Sequence, residues 1–432
     1  MRLTGSQLGD ASLLTTQRKT STGVVDARPP YRWVILTLAW LLYFAFGLIN
    51  SALSILITPV MEELNLTYAQ MGVILGSWQL VYIFFAQPAG IIIDALGSYK
   101  SLFLGVAVIS LSAALRWFAV TFESLLISVA LFGIGGPMIS IGLPKLVAVW
   151  FLGRERSVAT GVYTTGNTIG SIVALSTTTN VFMPLLGDWR RVFVLYSGIA
   201  LSTALLWLAA GWRLQAADPA QSPATSRGGE RAFDAMARLW KKRNIWLIVI
   251  MGVTSFLVSH GLANWLPKML ELKGMTVSEA GFATSSLHLF AIFGSILIPR
   301  LPYTVGSKKR AIALTLFVLG VATLVLSVAN GPLLWIGLAV VGVTMRGLTP
   351  LLMVTLMDLP EVDSQQMGAV GGLYFAIGEI GGFSGPFILG LLKDVTGSFT
   401  SGMIFLVAVA ELSIVFTLLL HEDAADQQTQ EA

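Results

Sequence analysis

Twelve windows of about twenty predominantly apolar residues run through this chain, and no other feature constrains it as strongly. They fall near 33–58, 70–93, 100–118, 124–151, 158–183 and 191–211, then near 245–266, 280–300, 309–328, 332–357, 368–391 and 400–420. Backbone buried in lipid has no water to bond, so windows of this kind are helices. The sequence therefore predicts an all-α membrane protein with twelve transmembrane helices. Only 12% of its 432 residues are charged, against roughly a quarter in soluble chains, which excludes most soluble enzymes.

Basic residues orient the spans. Nineteen of the 27 Lys and Arg residues lie near span ends on the side shared by the termini, and six lie on the other side. The remaining two, Lys145 and Arg346, fall inside spans. The asymmetry places both termini in the cytoplasm and predicts a multi-pass protein of the cell inner (plasma) membrane. It reflects topology, and no nucleic-acid partner is expected. Residues 1–32 read as a polar cytoplasmic tail, 33–211 as a six-helix bundle and 212–244 as a charged cytoplasmic linker. A second six-helix bundle follows at 245–420, with a short cytoplasmic tail at 421–432. The stretch 230–243 has the character of a surface-lying amphipathic helix.

An internal repeat supports the division. Gly166-Asn167-Thr168-Ile169-Gly170 in the fifth span resembles Gly378-Glu379-Ile380-Gly381-Gly382 in the eleventh, offset by 212 residues. Each follows an aromatic, Tyr163 or Tyr374/Phe375. That alignment makes Asn167 the counterpart of Glu379. Small residues at such positions let helices approach closely in lipid.

The turn between the second and third spans reads Gly90-Ile-Ile-Ile-Asp94-Ala-Leu-Gly97-Ser-Tyr-Lys100. Gly90 and Gly97 allow close approach and a sharp turn, and Asp94 can cap or pair at a helix end. This turn resembles the signature loop of the major facilitator superfamily. Its counterpart at Pro299–Arg310 keeps Gly306 and the basic cluster but has Pro299 and Tyr303 in place of glycine and aspartate. The resemblance implies the major facilitator fold, two pseudo-symmetric six-helix bundles around a central cavity with alternating access. It also implies that Asp94 helps lock one state against the eleventh helix. The stretch Gly142-Leu-Pro-Lys145 to Trp150-Phe151 resembles prokaryotic small-anion carriers of the cyanate/nitrate-like and oxalate/formate-like groups. A second resemblance, to choline and haem-related carriers of animals, rests on Asn50, Gly166-Asn167 and Trp150-Phe151.

A charge at the bilayer centre costs several kcal/mol, so it must face a cavity or a partner. Arg346 is nearly central in the tenth span. It either binds an anionic group of the substrate with its planar fork or forms a structural ion pair with Glu379. Glu379, nearly central in the eleventh span, is the candidate proton carrier, with His288 as a second. Glu411 is at mid-depth in the twelfth span and receives no role. His260 and Asn264 share a face of the seventh span with Trp265 nearby, suited to an outer vestibule or to a packed, satisfied histidine. Trp78, Gln79 and Tyr82 in the second span, Asn50 in the first, Asn167 in the fifth and Tyr374 in the eleventh complete the candidate substrate-binding set, because aromatics with a polar edge suit a small organic solute. Helix packing is the plainer alternative for each. Lys145, roughly 11 Å from the centre of its span, either snorkels to the interface or serves as a waypoint for a negative substrate. With Gly90, Asp94, Gly97 and Arg154 it forms the candidate gating set.

No cysteine is present and histidines number three, so neither thiolate chemistry nor a protein-built metal site is expected. Walker-type, HExxH and GxSxG motifs are absent from the sequence. No cofactor and no enzyme activity are expected. The reading is a monomeric secondary active transporter of a small organic anion, mono- or dicarboxylate-like, working by proton symport or exchange. The alternative is a uniporter or proton-coupled carrier of a neutral or cationic organic solute, met by aromatic faces with Arg346 structural.

Overall fold

The structure, a computed structural model, describes residues 31–211, 242–359, 362 and 367–421. The tails, the linker and most of the expected surface helix at 230–243 lie outside the described residues. Among the described residues every long element is a helix, and eleven stretches are long and apolar enough to cross a membrane. The first half contains α1 (Arg32–Ile55), α2 (Tyr68–Leu115), α3 (Phe122–Trp150), α4 (Gly153–Thr177) and α5 (Trp189–Gly211). The second contains α6 (Arg243–Leu272), α7 (Val277–Leu297), α8 (Lys308–Val328), α9 (Gly331–Met357), α10 (Met367–Thr396) and α11 (Phe399–Leu419). This is a multi-pass membrane protein.

Eleven stretches stand where twelve windows were predicted because α2 joins the second and third. Its 48 residues stay helical except at Gly97, whose φ of 78° and ψ of 159° break the helix. The turn at Gly90–Lys100 is thus one residue of left-handed backbone. Helix starts follow local chemistry. Thr67 with Gln70 and Thr276 with Glu279 close capping boxes at the starts of α2 and α7.

Within the first half α2 packs on α3 and α5, and α1 on α4. Within the second α6 packs on α10, α7 on α9, and α8 on α11 and α9. Among the described residues, α2 with α10, α4 with α7 and α1 with α6 pack across the halves. Glycines allow these approaches. A Cβ at Gly166 or Gly170 would strike the backbone of α1 at Trp40 or Phe44, and one at Gly381 or Gly385 would strike α6 at Val253 or Leu257.

Those contacts correct the repeat. The glycines that serve the same purpose are Gly166/Gly170 and Gly381/Gly385, one helical turn away from the offset of 212 read in the sequence. Thr164, rather than Asn167, then stands where the second half has Glu379. The glycine-rich runs matched by composition, while the helix that each glycine faces sets the true register.

A set of cross-half contacts gathers at the helix ends remote from residue 32. Asp394 on α10 accepts hydrogen bonds from the free N–H groups of Tyr68 (3.0 Å) and Ala69 (2.7 Å) at the start of α2. Lys268 donates to Thr58, which donates to Glu271, each at 2.6 Å. The Ser176 and Ser285 hydroxyls meet at 3.0 Å. Gly72, Gly76 and Gly390 bring α2 and α10 together so closely that a Cβ at any of them would meet backbone. That end of the molecule is closed.

Candidate functional site

The innermost cross-half hydrogen bond joins Gln79 on α2 to His260 on α6, Nε2 to Nδ1, at 3.1 Å. Gln79 is fully buried. The opposite ring nitrogen, Nε2 of His260, lies 3.7 Å from Oε2 of Glu379 on α10. Glu379 is buried too, and a Cβ at Gly382, one turn on, would run into its carboxylate and approach Gln79. Three elements, α2, α6 and α10, thus converge on one carboxylate at the floor of the closed seam.

Arg346 lies on α9, in the middle of its span, and its side chain is exposed. It nevertheless stands inside the protein. His260, His288, Tyr43 and Glu379 all stand within electrostatic range of it. Those groups come from α1, α6, α7 and α10, so the guanidinium is placed among helices of both halves. Among the described residues it forms no hydrogen bond and no ion pair. A direct Arg346–Glu379 ion pair is therefore not formed in this conformation, and the buried Oε2 of Glu379 has no hydrogen-bond partner among the described residues, with His260 its near neighbour at 3.7 Å.

Aromatic rings wall the same region. Trp78 packs edge-on to Phe46, Phe132, Tyr82 and His260. The Tyr82 hydroxyl meets Ser140 at 2.8 Å. Phe256 stacks on His260 with their ring centres 5.9 Å apart.

A model of the family described as "Major Facilitator Superfamily" matches residues 39–386. The chain belongs to the major facilitator superfamily. As a superfamily member it is a transporter and not an enzyme. Similar proteins include the uncharacterized transporter YycB of Bacillus subtilis, 24% identical over 85% of this chain and 89% of that protein. The D-galactonate transporter of Escherichia coli O6:H1 is 24% identical, with coverages of 84% and 89%. The hexuronate transporter of Bacillus subtilis is 26% identical, with coverages of 87% and 93%. In fold, the chain resembles an inward-facing, unoccupied bacterial homologue of the human lysosomal transporter Spinster, with a TM-score of 0.70, 18% identity and coverages of 93% and 97%.

The remaining residues singled out in the sequence take up varied positions in this superfamily scaffold. His288 is buried on α7 within electrostatic range of Arg346. Tyr374 is fully buried against Phe256, and its ring fills the space a Cβ at Gly252 would need, so it lies away from open water here. Asn167 presses its carbonyl on Gly47 of α1. Asn50 lines a small cavity with Trp78 and Asn264. Trp265 is buried and donates to the Pro386 carbonyl at 2.7 Å, so it is a packing residue in place of a vestibule wall.

In the superfamily's signature turn, Asp94 pairs with Lys145 of α3, within its own half, where the resemblance implied a lock against the eleventh span. The pair also gives Lys145 a partner in this conformation. Nothing lies within 4 Å of a Cβ built at Gly90 or Gly97, so neither marks a close approach here. Arg154 is exposed at the start of α4, next to Glu155, which pairs with Arg32 at 2.9 Å. Arg116 is the residue whose setting the sequence misplaced. Counted there with the basic loop residues, it is 2% exposed. Its place just past a long apolar run is that of an interfacial anchor, so nothing in the sequence marked its burial.

Proposed function

We propose that this transporter is a secondary active carrier of a small organic anion of the mono- or dicarboxylate class. One observation carries the reading: a permanently charged arginine at mid-span, exposed, set among groups of both halves and unpaired among the described residues. Such a group costs several kcal/mol to keep at that depth, and a substrate carboxylate meets its planar fork with two parallel hydrogen bonds. The relatives named for D-galactonate and hexuronate, both sugar acids, support the same chemistry. Trp78, Gln79, Tyr82, Asn50 and His260 surround the remainder of the solute.

Glu379 carries the coupling proton, with His260 as its neighbour and Gln79 linking that pair to the opposite half. A change in charge at Glu379–His260 alters the bond that closes the seam, which ties proton movement to the rocking of the halves. Helix α2, about 70 Å long at 1.5 Å per residue, exceeds a hydrocarbon core of about 30 Å, so it folds back at Gly97 and supplies two crossings. Twelve spans in two six-helix bundles follow, as in carriers built from structural repeats. With both termini cytoplasmic in the inner membrane, the closed end is external and the cavity at Arg346 opens inward.

The test is thermal stabilisation of the purified protein by D-glucuronate, D-galactonate, the neutral parent sugars and quaternary amines, repeated on Arg346→Ala. A ligand at a hundred times its Kd adds about 2.7 kcal/mol to the native state. Sugar acids should stabilise the wild type and lose that effect in a folded Arg346→Ala protein. Stabilisation only by amines or neutral sugars, or an anion effect untouched by the substitution, would overturn the reading in favour of a carrier for neutral or cationic solutes.

A further inference from the structure

Arg116 follows the last residue of α2, in the short turn Arg116–Phe118, and its side chain reaches back into the first half. Its guanidinium carbon stands 4.3 Å from the centre of the Phe193 ring. That contact occupies the face of the plane and leaves the N–H groups on its edge unused. Nε and Nη1 are both buried with no acceptor among the described residues. Arginine does not escape such a site by losing its proton, and a buried unpaired cation is expensive to keep.

Arg116 is one of the residues around a cavity of about 10 Å³, together with the polar residues Asn50, Trp78 and Asn264. Asn264 spends one amide hydrogen on the His260 carbonyl at 2.8 Å and has a second to give. No carboxylate lines the cavity. It is rich in donors, positively charged, and otherwise walled by apolar groups such as Leu53 and Leu75. Asn50, Trp78 and Arg116 belong to the first half and Asn264 to the second, so it straddles the seam at the closed end.

We propose that this cavity is a second anion site, separate from Arg346, that holds one monatomic anion of chloride size while that end is closed. The volume is that of about one water, too small for a carboxylate-bearing solute; chloride, slightly larger than water, enters as the surrounding side chains yield. The ion neutralises Arg116 and bridges it to the amide of Asn264 across the seam. Opening the seam carries Asn264 away and releases the ion, so chloride favours the closed end by its differential affinity for the two states.

The experiment uses the full chain carrying Arg346→Gln, which removes the anion site of the proposed function and keeps the two ideas separable. Equilibrium binding of radiolabelled chloride, with the bulky sulfonate MES as the replacing anion, should show one saturable ion per chain and a chloride-dependent rise in Tm. Adding Arg116→Gln should abolish both. Asn264→Leu, which leaves the guanidinium in place, should weaken binding at least fivefold, and it decides the matter if Arg116→Gln does not fold. Absence of saturable chloride binding would overturn the proposal, as would undiminished binding in Arg116→Gln or an unchanged affinity in Asn264→Leu. Displacement of chloride by equimolar acetate would overturn the assignment to a monatomic ion.

Discussion

Glu379 and His260 stand 3.7 Å apart, Oε2 to Nε2, while the far side of the same imidazole is held by Gln79 from the opposite half. With Gln79 donating to Nδ1, the neutral ring carries its proton on Nε2, toward the carboxylate. A proton, a hydrogen bond and the seam between the halves are thereby placed on one ring.

Glu379→Gln keeps the shape and removes the titrating group. Uptake driven by an inward proton gradient in proteoliposomes should fall at least tenfold, while counterflow exchange of D-glucuronate at equal pH on both sides should continue. Loss of both together would argue that Glu379 is structural.

Asp394 caps the start of α2 from α10, satisfying two free N–H groups with one carboxylate. A charge in this position is worth about 0.3–1 kcal/mol, so Asp394→Ala should shift the conformational balance toward opening of the closed end by roughly two- to fivefold. The chain has no native cysteine, so one introduced at Ser285 provides a clean reporter. Its labelling by a membrane-impermeant maleimide should speed up in the Asp394→Ala background.

A Cβ at Gly385 would collide with the Leu257 carbonyl and lie 3.0 Å from the Gly261 nitrogen. Both are helix backbone and cannot turn aside. Gly385→Ala should cost about 1–3 kcal/mol. Gly90, equally helical but with nothing within 4 Å of its added carbon, should tolerate alanine within about 0.5 kcal/mol or gain slightly. Thermal unfolding of the two variants in one detergent compares them directly.

Glu63 lies in the short helix Ile57–Leu64, outside the spans, and accepts hydrogen bonds from Trp189 at 2.7 Å and Arg190 at 2.6 Å. These bonds, the indole first, hold its carboxyl below the ordinary value of 4.5. A depressed pKa in the folded protein means that the unfolded chain binds the proton first. The contribution is therefore complete above pH 4.5 and is lost as the pH falls below it toward the folded value. Glu63 is about half exposed, so the effect is modest. Glu63→Gln should lower Tm slightly at pH 7 and flatten its decline below pH 4.5. An unchanged acid limb would show that the indole and guanidinium do not favour the charged form.

The sequence by itself determined that this chain crosses a membrane repeatedly as helices, and that Arg346 and Glu379 are charged residues near the middle of their spans. Both rest on length and polarity alone, and those are properties of the linear string. Tertiary structure decided the partners. Successive residues turn by about 100° around a helix, so an uncertainty of one or two residues at a span end points a side chain at a different neighbour. Spacing could therefore suggest Arg346 with Glu379, whereas the fold sets Glu379 beside His260, 3.7 Å away. It also moves the glycine repeat by one turn, from Gly378/Gly382 to Gly381/Gly385, because close approach depends on which helix lies opposite. Arg116 shows the limit most plainly. Its position past an apolar run is that of a surface anchor, and only the packing of α1, α2, α3, α5 and α6 around it makes it a buried cation beside a small cavity.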